Sequence, residues 1–140
     1  LATGRDVLLD TGPLVAVLDA SDSHHRRVVP VFSDLLTRLI TTEAVVTEAC
    51  HLVGRGGGGS QVPLELLIVA RIPILGLDSE GHQQAARLMV RYADTPMDYA
   101  DATLMVLADG LNIGTALTFD RRGFSTYRRA RGGTVNCLTV

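Results

Sequence analysis

Short apolar runs alternate with amphipathic stretches along the whole chain. Val7-Leu8-Leu9 is an apolar run closed by Asp10-Thr11-Gly12-Pro13, and it reads as a buried strand stopped by a turn. Pro13, followed by Leu14, Val15, Val17 and Leu18, suits the start of a helix. A second helix is expected over residues 25–36, then a strand near 39–41. Thr41 or Thr42 is placed to cap a helix from Glu43 to Arg55. Gly56-Gly57-Gly58-Gly59-Ser60 ends that helix and reads as a flexible connection, as compatible with a helix–helix loop as with an engineered linker. Residues 61–71 read as a helix with Pro63 in its first turn, and residues 72–77 as a strand that Pro73 confines to an edge or an irregular start. Ser79 is expected to cap a helix with Ala85, Leu88, Met89 and Tyr92 on its apolar face. Thr95-Pro96-Met97-Asp98 has the form of a capping box with proline at the first helical position. The helix it opens carries apolar residues at 97, 100, 104, 107, 108 and 111, the cleanest helical period in the chain. Residues 116–119 form an expected strand ending in Asp120, and residues 135–140 a final one. Short apolar strands alternating with helices predict an α/β fold with a mainly parallel sheet.

This pattern also places acidic side chains. In such sheets ligands bind outside the carboxyl ends of the strands. Asp10 and Asp120 each end an expected strand, so parallel strands would bring both to one edge; either could equally be a polar residue opening a loop. Asp101 is more telling. At 100° per residue it shares a stripe with Met97, Leu104 and Ala108, facing the core. A carboxylate there needs a partner or a proton. That partner is either an Arg or a cation shared with other acids. Asp98 lies one turn earlier and suits the positive end of the helix dipole, as does Glu43 in its own helix. Glu48 sits at the border of an apolar face. His24, His25 and His51 read as surface residues.

Composition narrows the chemistry. The 140 residues suit one domain, 1–140, and 46% apolar residues with a mean hydropathy of +0.24 argue against disorder. No apolar run approaches the length of a membrane span, and Leu1 to Asp6 shows no signal-peptide pattern. All 13 basic residues are Arg, which excludes a Walker-A loop and a Schiff-base lysine. Cys50 and Cys137 form no Cys-x-x-Cys pattern and read as reduced, buried thiols of a cytoplasmic protein. The net charge of −2 conceals an asymmetry: residues 1–120 carry −7 and residues 121–140 carry +5. An acidic body beside a basic tail fits a metal-loaded carboxylate site with phosphate contacts next to it. Clustered carboxylates are hard ligands of the kind Mg²⁺ and Mn²⁺ prefer. Arg121, Arg122, Arg128, Arg129 and Arg131 are the candidate phosphate contacts.

Four segments carry a family resemblance: Leu8-Leu9-Asp10-Thr11-Gly12-Pro13-Leu14, Val46-Thr47-Glu48-Ala49, Met97-Asp98-Tyr99-Ala100-Asp101-Ala102, and Leu117-Thr118-Phe119-Asp120-Arg121-Arg122-Gly123-Phe124. In this order and spacing the chain resembles the PIN domain, and within it the toxin nucleases of VapBC-type toxin–antitoxin pairs. The resemblance implies a three-layer α/β/α sandwich and a Mg²⁺-dependent endoribonuclease. It implies Asp10, Glu48, Asp101 and Asp120 as the acidic constellation, with Asp98 as an additional metal candidate and Thr11 and Thr118 as supporting hydroxyls. It also implies an RNA substrate and a small antitoxin partner.

The alternative is a catalytically weak module that binds RNA or a protein, which a missing acid would favour; all four are present. An aspartyl phosphatase would want a second Asp where Gly12 stands and a Lys, and a receiver domain would want the same Lys. Residues 64–69 and the face near Val28, Val29 and Phe32 are candidate surfaces for the partner or for a homodimer.

Overall fold

The computed structural model describes residues 6–138 and 140; the signal-peptide reading of Leu1 to Asp6 and one residue of the expected last strand, Thr139, thus fall wholly or largely outside the described residues. Among these described residues five parallel strands form one sheet: β1 (Val7–Leu9), β2 (Leu39–Thr42), β3 (Ile74–Leu75), β4 (Thr115–Leu117) and β5 (Asn136–Cys137). Their spatial order is β3-β2-β1-β4-β5. Among the described residues seven helices connect them: α1 (Thr11–Leu18), α2 (His25–Leu35), α3 (Glu43–Arg55), α4 (Val62–Val69), α5 (Ser79–Arg91), α6 (Tyr99–Leu111) and α7 (Arg121–Thr126). Right-handed crossovers put α1–α4 on one face and α5–α7 on the other, because the strand order reverses between β1 and β4. Helices α1 through α4 pack among themselves and α5 against α6, while α3 also meets α6. This is the expected three-layer α/β/α sandwich.

The strands are apolar because helices cover both faces; Val7, Leu8, Leu9 and Leu117 are fully buried. Helix α6 is the central helix of its layer, and every residue from Ala100 to Ala108 is buried. Among the described residues no helix is long and apolar enough to cross a membrane.

Several boundaries differ from the sequence reading, each for a capping reason. Helix α1 begins at Thr11, not Pro13, because the Asp10 carboxylate caps it. Asp78, not Ser79, caps α5 by accepting from the Gly81 N–H. The capping box of α6 is Asp98 with Asp101, three residues later than expected, so Pro96 precedes the helix. The glycine run is a compact helix stop. Gly57 adopts φ +89°, and the N–H groups of Gly58 and Gly57 donate to the carbonyls of Val53 and Gly54, which is a Schellman closure. Pro73 lies just before β3, an edge strand, and its carbonyl accepts from the Thr41 N–H at 3.0 Å. The last strand shrinks to Asn136–Cys137, and both cysteines are free and half-buried rather than buried. Val28 and Phe32 are core residues and so offer no partner surface. Ile68 and Val69 on α4 remain 63% and 81% exposed.

Candidate active site

Strand order reverses between β1 and β4, which opens a crevice beyond their carboxyl ends. Asp10 leaves β1 into it. One oxygen of Asp10 accepts the Thr11 N–H at 2.8 Å, and the other accepts the Thr118 hydroxyl at 2.7 Å. Thr118 follows β4 directly, and its Oγ1 accepts the Asp120 N–H at 2.9 Å. One hydroxyl thus ties Asp10 to the Asp120 backbone. Asp120 caps α7 by accepting from Gly123 N–H at 3.0 Å. At the start of α6, Asp98 accepts the Asp101 N–H at 2.8 Å, and Asp101 accepts the Asp98 N–H at 3.2 Å. Three helix N-termini therefore turn their positive ends toward these acids. Glu48, on α3, reaches hydrogen-bonding range of Asp98. The five predicted acids thus meet in one field, although they arise from four separate connections.

Burial divides them. Asp10 and Asp101 are 7% and 9% exposed, whereas Asp98 and Asp120 stand on the exposed rim. Burial, then the charges of Asp98 and Asp10, push the Asp101 carboxyl up to about 8. Burial also raises Asp10, against the opposing hydrogen bonds from Thr118 and Thr11. Glu48 rises through burial, then through Asp98 and Asp10. Among the described residues, no salt bridge reaches any of these acids. The Thr11 hydroxyl is buried without a hydrogen-bond partner.

Sequence reasoning missed Tyr127. Its ring is fully buried, packed edge-on against Tyr92 and Phe124. Its hydroxyl donates to the Pro96 carbonyl at 3.3 Å and lies within reach of the Asp101 carboxyl. Burial and the Asp101 and Asp120 charges raise its pKa, so it stays a protonated donor against the acid wall. Its position beyond a short helix, far from the α6 acids in sequence, gives no periodic signal. Gly123 completes this corner. A Cβ there would collide with the Asp120 carboxylate and stand 2.8 Å from the Tyr127 hydroxyl. Gly123→Ala is therefore expected to displace Asp120 and lower the activity of the site roughly tenfold or more, the scale of disturbing groups that hold an active-site ligand. Turnover and thermal melting on the same preparation check this; wild-type turnover would show that Asp120 has no fixed role.

The basic tail divides. Arg121 and Arg122 stand exposed in the first turn of α7, beside Asp120. Arg122, Asp94, Asp120 and Tyr127 help line a cavity of about 160 Å³. Arg129 instead donates to the Asn112 side chain at 2.8 Å and lies over Gly114, which precedes β4. That is the opposite edge of the sheet from the acids. Arg128 and Arg131 are exposed, and the Arg128 N–H donates to the Tyr92 hydroxyl.

A family model for the PIN domain matches residues 7–130. The chain belongs to the PIN domain family. It is 32% identical over 132 residues to Ribonuclease VapC26 of Mycobacterium tuberculosis, a match covering 91% of this chain and 96% of that protein. Its fold is similar to the crystal structure of Mycobacterium tuberculosis VapC20, a sarcin–ricin loop cleaving toxin. The TM-score is 0.76 at 19% identity, covering 82% of this chain and 90% of that one. A crystal structure of VapBC2 from Rickettsia felis, bound to a DNA fragment from its promoter, also matches. Its TM-score is 0.63 at 14% identity, covering 94% and 96% of the two chains. At these identities the two structures speak for the fold alone.

PIN-domain ribonucleases generally depend on a divalent metal. Among the described residues, no three His, Cys, Asp or Glu side chains already close into a metal-holding group. The donor chemistry nevertheless fits a hard cation. It consists of carboxyl oxygens, including those of buried Asp10 and Asp101, and an unpartnered buried hydroxyl.

Proposed function

We propose that this PIN domain, as a single unit over residues 1–140, is a Mg²⁺-dependent endoribonuclease that Mn²⁺ also supports. It acts in the cytoplasm as the toxin of a toxin–antitoxin pair. The observation that carries the reading is the pairing of buried Asp10 and Asp101 with rim Asp120 at the reversal point of the sheet, where among the described residues no salt bridge balances them. Asp10, Asp101 and Asp120 would hold the metal, with Asp98 beside them. A divalent cation bound there lowers the pKa of water and offsets charge on a phosphoryl group. Glu48, with its raised pKa, holds or passes a proton at the pocket wall. Thr118 fixes the Asp10 carboxylate relative to Asp120, and Thr11 keeps a hydroxyl free beside Asp10. With water as nucleophile the substrate's 2′-hydroxyl has no chemical role, so the preference for RNA rests on shape and single-strand access.

Arg121 and Arg122 are placed to neutralise phosphates entering at Asp120. Replacing both with Ala is expected to weaken RNA binding and flatten its salt dependence by about one to two ions. Arg129→Ala is expected to leave that slope unchanged and lower thermal stability, because Arg129 fastens the tail to Asn112. Fluorescence anisotropy across a salt series separates the two outcomes. Arg128 and Arg131, exposed on the same tail, are secondary candidates for RNA contact.

The antitoxin reading draws on the similarity to VapC26 and on the exposed apolar surface of α4, which also suits a homodimer. A partner Arg would pair bidentately with the acids at the pocket mouth. Co-expression with the product of the adjacent open reading frame tests this. Growth arrest by the chain alone, relieved by that product, is expected. A harmless, monomeric chain that captures no neighbour would sink the toxin reading.

A further inference from the structure

Phe119 stands between Thr118 and Asp120, and its ring meets Gly12 of α1 and His24 at the start of α2. Gly12 lies against its ring; a Cβ at Gly12 would come within 2.9 Å of Phe119 Cδ2. The glycine beside Asp10 thus lets the ring seat close to the acids. On this ring stacks His24, with centroids 4.2 Å apart and planes inclined by 22°. The imidazole is also held from its edge. Its Nδ1 lies 3.3 Å from Asp22 Oδ1 and 3.4 Å from the Ser23 hydroxyl. Its backbone N–H donates to Asp22 at 2.8 Å. His24 caps no helical N–H with its side chain, and 42% of that side chain stays open to solvent.

A flat ring, stacked on one face, fixed at its edge and partly open beside an acidic site, has the features of a base platform. We infer that the His24–Phe119 pair is a nucleobase-stacking subsite, receiving an unpaired base next to the phosphodiester that enters beside Asp10, Asp101 and Asp120. The inference rests on the ribonuclease reading and adds a substrate requirement to it. Every base has a π-face, so such a platform selects single-stranded RNA without selecting its sequence. Neither ring lines the Arg122 cavity, which Asp120 does, so the platform offers the strand an aromatic contact separate from that basic one.

The test uses the full chain carrying Asp101→Asn to prevent cleavage. The probe is a single-stranded RNA with 2-aminopurine placed in turn at each position. Quenching is expected at one position or two adjacent ones. Adding His24→Ala should abolish it and weaken binding about tenfold, the scale of one lost base stack. His24→Phe should restore both, since it keeps the ring and discards the polar contacts with Asp22. Equal quenching and affinity with and without the His24 ring would overturn the platform. So would a His24→Phe protein as weak as His24→Ala, because that result assigns His24 to its hydrogen bonds. The two readings fail separately. A wild-type chain that cleaves no RNA overturns the ribonuclease, whereas wild-type cleavage with a dispensable His24 ring overturns the platform alone.

Discussion

Asp101→Asn is expected to abolish RNA cleavage while making the metal-free protein more stable at neutral pH. The two effects share one cause. Asp101 is buried beside Asp98 and Asp10, and its carboxyl titrates near 8 in the fold against a reference value of 3.8. A carboxyl whose pKa is raised on folding favours the folded state only while it is protonated. Without metal, the wild-type protein should therefore lose stability as pH climbs from about 4 toward 8, and change little from this group beyond. Asn is neutral throughout and can still accept the Asp98 N–H. The variant should show a shallower pH slope and melt several degrees higher near pH 7. Mg²⁺ should raise the wild-type melting temperature more than that of the variant, because a cation can displace the Asp101 proton and offset its buried charge, whereas Asn supplies no charge to bind it. Cleavage should fall on the order of 10³-fold, the scale of removing one charge-stabilising group from an active site. Melting across a pH series, with and without Mg²⁺, checks the stability half. A variant less stable than wild type across that range would mean that the Asp101 charge is already balanced.

Tyr127 gives the second large effect, and two variants separate its roles. Tyr127→Ala removes a fully buried ring from the contacts with Tyr92 and Phe124. The expected loss is about 3–5 kcal/mol, a large share of the roughly 5–15 kcal/mol that holds a domain folded. Tyr127→Phe keeps the ring and removes only the hydroxyl that reaches Pro96 and Asp101. It should fold almost normally and lose roughly tenfold in kcat, since a group that orients a ligand typically matters on that scale. Denaturant unfolding and turnover measured together make the comparison. Unchanged turnover in Tyr127→Phe would reduce the residue to core packing.

The residues that were legible in the sequence are those that local rules determine. The strand Val7–Leu9 and the Thr42 cap follow from apolar runs and capping chemistry. The inward face of Asp101 follows from the 100° period of α6, and its burial follows from that face. Asp10 and Asp120 needed one further step, that parallel strands share a carboxyl edge. Other features depend on contacts between distant segments. Nothing local to Tyr127 points to Pro96 or Asp101, and nothing in the basic tail distinguishes Arg122 beside the acids from Arg129 held by Asn112. The first turns of α1, α5 and α6 were misplaced because Asp side chains compete with Ser and Pro as helix starters. In each case the Asp prevailed by accepting a backbone N–H.

The claim that a carboxylate-held cation drives hydrolysis of RNA is tested most directly by end-group analysis of the products. Wild-type protein is incubated with a pool of structured RNAs in Mg²⁺, in Mn²⁺ and in excess chelator, beside Asp101→Asn. The account predicts internal cleavage only with metal, none by the variant, and products without a 2′,3′-cyclic phosphate, because water rather than the 2′-hydroxyl attacks. Cleavage that survives the chelator, or products ending in a cyclic phosphate, would contradict it.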